Sequence, residues 1–100
     1  MTHHKNSHEN MDEHHLYEIV DKKNDKVFKY GISSRELNKD GSSPRANEQV
    51  NLFNRLAGWG RYFANILLVG IIGRKKAEEI EEDYIEKFKD KNGSRPDGNP

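Results

Sequence analysis

Two short stretches decide how this chain folds: Leu16-Tyr17-Glu18-Ile19-Val20-Asp21 and Val27-Phe28-Lys29-Tyr30-Gly31-Ile32. Both are rich in the β-branched and aromatic residues of strands. The polar run from Asp21 to Lys26 between them suits a tight connection, so the pair reads as an antiparallel hairpin. Working outward, Ser33 to Ser43 is a loop rich in Ser, Asn, Asp and Gly. Ser43-Pro44 is an N-cap followed by proline at the first helical position, opening a helix to about Leu56 or Ala57 that Gly58 and Gly60 stop. Arg61 to Val69 is a third strand, nearly all apolar in its second half. That apolarity predicts a central strand covered on both faces. Gly73 ends the run, and Arg74 to about Lys89 is a helix with Ala77, Ile80, Tyr84, Ile85 and Phe88 at helical spacing. Asn92 to Pro100 is a Gly/Pro tail. The order β-β-α-β-α describes an α+β fold, a small three-stranded antiparallel sheet flanked by helices.

Composition limits what such a fold can do. With 100 residues, 34% of them charged and 32% hydrophobic, the chain has room for one small domain with a modest core. It contains no cysteine, which excludes disulfides, thiolate metal sites and a cysteine nucleophile. His and carboxylates remain as metal ligands. Lys+Arg and Asp+Glu both number 17, so no global basic field announces nucleic acid and any basic surface is local. The run Ile66 to Ile72 is far shorter than the roughly 20 residues that cross a bilayer, and the polar start lacks the apolar stretch of a signal peptide. A soluble, cytoplasmic protein without a membrane partner is expected, or one delivered into the cytoplasm of a target cell.

Residues 1–14 have no apolar residue besides two Met and read as a disordered, His-rich leader, leaving 15–100 as the domain. His3, His4, His8, His14 and His15 form a cluster able to bind a metal opportunistically. Nothing in the segment would hold a helix in place, so these histidines read as polar or tag-like.

The sharper signal is polar residues on faces that should be buried. At about 100° per residue, the apolar arc of the last helix centres near Ala77 and Phe88 and includes Glu81. Glu79, Glu82, Asp83 and Glu86 point away, and Glu78 is marginal. An ionised carboxylate facing a sheet is costly unless a metal, a cation or hydrogen bonds meet it. On the first helix, Arg45 and Gln49 share the side of Ala46, Val50, Leu52, Phe53, Leu56 and Ala57. One bland account pairs Arg45 with Glu81 as a structural ion pair.

These residues carry a family resemblance. Leu16-Tyr17-Glu18-Ile19, a short turn, Phe28-Lys29-Tyr30-Gly31-Ile32-Ser33, an arginine opening the next helix, and Ala77-x-x-x-Glu81-x-x-x-Ile85 together resemble the GIY-YIG nuclease superfamily. Within it, the Lys-Tyr-Gly-Ile-Ser string, the Asp40 to Ala46 stretch and the closing Pro96-Asp97-Gly98-Asn99 look like the URI-fold toxin domains of bacterial polymorphic toxin systems. The resemblance implies a metal-dependent endonuclease that hydrolyses phosphodiester bonds, acting as a toxin in bacterial competition. It implies Glu81 as ligand of one Mg²⁺ or Mn²⁺, hard cations that suit a carboxylate plus waters. Arg45 would grip the scissile phosphate through its planar guanidinium. Tyr17 would orient or deprotonate the attacking water, and as a base it would need a nearby cation to lower a pKa near 10.

His15-Leu16-Tyr17 replaces Gly-Ile-Tyr and keeps the reactive position. Lys29 stands where the second motif has tyrosine and would tune Tyr17 or contact phosphate. Tyr30 takes that role only if the register slips by one, which would turn it to the opposite face, and core packing suits it better. Asn99 resembles a terminal asparagine that organises the site. Gln49 and Asn54 are candidate phosphate or base contacts, with packing or capping of local backbone as the alternative. With Lys29, Arg45 and Asn99 they form the expected nucleic-acid contact set, with DNA ahead of RNA. Lys22, Lys23, Lys26, Lys29, Arg35, Arg45, Arg55 and Arg61 make the first two-thirds of the domain locally basic, which allows one basic cleft. Trp59 is expected to cap the core. A cognate immunity protein is the further partner implied. The competing reading is a catalytically inactive nucleic-acid-binding module of the same fold.

Overall fold

A computed structural model describes residues 11–100. Its elements are β1 (Glu13–Asp21), β2 (Lys26–Ser33), α1 (Pro44–Ala57), β3 (Tyr62–Ile72) and α2 (Arg74–Asn92). The three strands form one antiparallel sheet in the order β2-β1-β3, with helices in an α+β arrangement.

The hairpin turn is built by Asp21, whose carboxylate accepts the Lys23 N–H and the Asn24 side-chain amide, both at 2.9 Å. Asp25 completes it at φ 53°, a left-handed conformation that Asp tolerates better than most residues. Arg61 then grips the same Asp21 with two hydrogen bonds of 2.8 and 2.7 Å, tying the turn to the entry of β3. α1 starts as the sequence predicts: the Ser43 hydroxyl accepts the Ala46 N–H at 3.1 Å and Pro44 follows at the first helical position. Gly58, at φ 83°, ends it. α2 runs to Asn92, three residues past the expected end near Lys89, and stops at Gly93 with φ 86°.

The strand between its two neighbours is β1, not β3. The apolarity of β3 has another cause: its two faces pack under different helices. Tyr62, Ala64 and Ile66 lie against the cluster of Tyr17, Ile19 and Ala46 beneath α1. Leu67 and Ile71 join Leu16, Tyr30, Ala77, Ile85 and Phe88 beneath α2. Laterally β3 is an edge, and Val69 is 60% exposed. Face coverage writes hydrophobicity into a strand; the strand's place in the sheet does not.

Two asparagines finish the sheet. Asn99 donates to the Tyr30 carbonyl at 3.0 Å and accepts the Tyr30 N–H at 2.7 Å, pinning the tail to the outer edge of β2. Asn54 does the same to Tyr62, at 3.1 and 2.7 Å, holding the end of α1 to the start of β3. Each carboxamide acts as a one-residue strand.

The leader expected over residues 1–14 does not extend through its last two residues. Glu13 and His14 belong to β1, paired with Ile72 and Ile71, and His14 is buried. His3, His4 and His8 lie outside the described residues. Trp59 is 52% exposed and does not cap the core, because the Gly58 turn that ends α1 carries it past the sheet.

Candidate active site

The site begins with a glycine. Gly31 sits opposite Tyr17 in the β1–β2 register, and a Cβ there would overlap the Tyr17 ring and its hydroxyl oxygen. The glycine of the second motif is therefore the floor on which the tyrosine of the first motif lies. Tyr17 is only 1% exposed.

Register then selects Lys29. Ile19 faces Lys29 and Val20 faces Val27, so Phe28 is an extra residue in β2, a bulge. The bulge turns both Phe28 and Lys29 to the α1 side: the Phe28 ring packs edge-on against Phe53 and Tyr62, and Lys29 shares the face of Ile19 and Tyr17. Tyr30 points the other way, into the α2 core beside Tyr84 at 5.5 Å between ring centroids. The packing role expected for Tyr30 is what the structure shows.

α1 delivers Arg45 and Gln49 to the same place. The Tyr17 hydroxyl donates to Gln49 Oε1 at 2.7 Å, so Gln49 is the immediate partner of the buried phenol. Burial pushes the Tyr17 hydroxyl up to about 12, the charge and hydrogen bonding of Arg45 pull it down, and Glu81 pushes it further up. Lys29 is lowered from its ordinary value by burial and then by Arg45, against an opposing pull from Glu81. Glu81, half-buried on the flank of α2, is raised by burial and drawn back by Lys29 and Arg74. Four side chains from four elements thus share one electrostatic neighbourhood.

Arg45 and Glu81 form no ion pair with each other, which removes the structural-pair account of both. Arg45 is exposed at the mouth, while the Glu81 carboxylate has no hydrogen-bond partner among the described residues. A half-buried carboxylate without a donor, facing two cations, is a chemically reasonable seat for a hard divalent ion. No group of three His or acidic residues capable of holding a metal exists among the described residues. An ion here would take Glu81, waters and the substrate's own oxygens as ligands.

The expected nucleic-acid contacts divide. Lys29 and Arg45 stand within electrostatic reach of Tyr17. Gln49 is committed to Tyr17, Asn54 to the Tyr62 backbone and Asn99 to the Tyr30 backbone. Asn54 makes the local backbone contact of that alternative, with both its amide nitrogen and its oxygen bonded to Tyr62. Next to Asn99, Gly98 donates its N–H to the Phe28 carbonyl at 2.7 Å and lies against Lys29, where a Cβ would overlap the Lys29 Cβ and the Phe28 carbonyl. Sequence reasoning missed two members, His15 and Ser43. His15 Nε2 lies 2.7 Å from Ser43 Oγ at the start of α1, and its only sequence signal is its place in the Tyr17 motif.

A family model described as URI fold toxin 2 matches residues 7–93. No curated protein and no solved structure matches the chain. Gly98 and Asn99 lie beyond the matched span.

Proposed function

The chain belongs to the URI fold toxin 2 family, and on that premise we propose that the Tyr17–Lys29–Arg45–Glu81 cleft hydrolyses phosphodiester bonds of nucleic acid in the manner of GIY-YIG nucleases. The observation that carries this reading is the convergence of the four groups: Tyr17 and Lys29 each feel both Arg45 and Glu81.

Phosphodiester hydrolysis needs a placed water, positive charge on the phosphoryl oxygens and relief for the leaving oxygen. Arg45, exposed at the mouth, presents a planar fork able to bond two phosphoryl oxygens at once. Lys29 adds a point charge deeper in the cleft. Tyr17 has its proton engaged by Gln49, which leaves a lone pair on Oη to accept from a water. With its pKa pushed up to about 12, the phenol orients that water rather than deprotonating it until a further cation enters the cleft. A Mg²⁺ or Mn²⁺ held by Glu81 would supply Lewis-acid charge to the phosphate.

DNA is the substrate placed first and RNA second, and the domain is the effector of a toxin that acts inside the cytoplasm of a target cell. The chain's own bacterium would need a cognate immunity protein. No helix among the described residues is long and apolar enough to cross a membrane.

Purified protein incubated with supercoiled plasmid and with total RNA, in Mg²⁺, Mn²⁺ or EDTA, tests the reading. Cleavage that EDTA abolishes is expected. Folded protein that binds nucleic acid and cuts neither substrate under any condition would replace the nuclease with a binding module.

A further inference from the structure

The roles above leave His15 unused, although it occupies the position before Leu16-Tyr17 where the related motif carries glycine. It is 4% exposed, and its Nε2 meets the Ser43 hydroxyl at 2.7 Å across 28 residues of chain. That same hydroxyl oxygen accepts the Ala46 N–H and so caps α1. Two residues along β1, Tyr17 meets Gln49, two turns into the same helix. The His15 and Tyr17 rings lie 6.1 Å apart between centroids. β1 and α1 are therefore tied by two polar links into a closed ring: His15 to Ser43, along the helix to Gln49, across to Tyr17 and back along the strand. At its other end α1 is held by the Asn54 clasp on Tyr62.

The geometry points to His15 as a positioning residue that, through Ser43, anchors the N-terminal end of α1 at the height where Arg45 and Gln49 meet Tyr17. Without this anchor the helix keeps its C-terminal clasp and pivots about it, moving Arg45 most. The donor pattern agrees. Burial, and then the charge of His14, hold His15 below its ordinary pKa, which favours the neutral ring. The Ser43 hydroxyl has one proton and two lone pairs, so it bonds Nε2 in either ring tautomer while it accepts the Ala46 N–H. The catalytic consequence rests on the nuclease reading; the anchoring does not.

Four variants of the full chain test it: His15→Phe, which keeps a ring and loses the bond; His15→Gln, whose carboxamide restores an acceptor; Ser43→Ala; and the His15→Phe/Ser43→Ala double. The first readout needs no activity: the side-chain amide resonance of Gln49 and the hydrogen exchange of the Ala46 amide. Expected are a shifted Gln49 signal and faster Ala46 exchange in His15→Phe, recovery in His15→Gln, and a double variant no different from Ser43→Ala alone. The second readout is cleavage kinetics, where kcat falls about 10- to 100-fold in His15→Phe with KM little changed, as expected for a misplaced catalytic group. An unshifted Gln49 signal in folded His15→Phe, or a double variant that loses the product of the two single effects, overturns the proposal. Should the wild-type protein cut nothing, the nuclease reading fails while the Gln49 and Ala46 signals still decide the anchor.

Discussion

The two faces of this sheet are built for different purposes. Beneath α2 lie Leu16, Tyr30, Ile71, Ala77, Ile85 and Phe88, a continuous buried cluster. Beneath α1 the buried apolar cluster is Tyr17, Ile19 and Ala46, and around it stand polar groups, the buried His15 and Ser43 and the part-buried Gln49 and Lys29. α1 even leaves Leu56 77% exposed. One face supplies stability, and the other holds a chemical arrangement that packing alone would not select. Three of the four candidate site residues thus sit on the α1 side and Glu81 reaches them from α2, so that substitutions in the α2 core and around α1 should fail in different ways.

The largest effect expected is on the α1 side. Arg45→Ala should lower cleavage about 10²- to 10³-fold, the scale of removing one preorganised charge donor, with thermal unfolding almost unmoved because Arg45 is exposed. Steady-state cleavage and calorimetry on the same preparation would separate the two. On the α2 side Leu16→Ala should cost about 2–5 kcal/mol in denaturant unfolding, whereas Leu56→Ala should stay within about 0.5 kcal/mol. Equal losses at the two leucines would break the distinction between faces. A smaller effect belongs to the Asp21–Arg61 link, shared by the hairpin turn and β3. Arg61 holds the Asp21 carboxyl well below its ordinary 3.8, at about 2. A depressed folded value means stability that is present above the unfolded pKa and lost as pH falls. Unfolding measured from pH 5 down to pH 2 should therefore lose about 1–2 kcal/mol in the wild type, and Asp21→Asn should flatten that part of the profile. Smaller again is the loss in Asn54→Ala, which unclasps one edge residue at a cost of about 1 kcal/mol.

Much of this was legible in the residues. The hairpin, the Ser43-Pro44 start of α1, its Gly58 stop and the inward placement of Glu81 follow from local chemistry and helical periodicity, which act over a few residues. The Gly31 floor became visible only with the strand register, which sets Gly31 opposite Tyr17. What escaped depends on distant partners. The edge position of β3 depends on which side of β1 the β1–β2 pairing leaves open, and no property of Tyr62–Ile72 records that. Asn99 looks like a ligand group until Tyr30 is seen opposite it, and Asn54 until Tyr62 is. His15 reads as one of a polar histidine cluster beside the Tyr17 motif because its partner is 28 residues away.

The central claim is that Glu81 is kept for chemistry at the expense of packing. The most direct test is Glu81→Gln, which preserves shape and removes the charge, assayed for metal-dependent cleavage and for thermal stability together. Burial disfavours the ionised carboxylate, so the account predicts a protein at least as stable as the wild type and devoid of cleavage. A variant that still cuts nucleic acid, or one that loses stability without the charge, would contradict it.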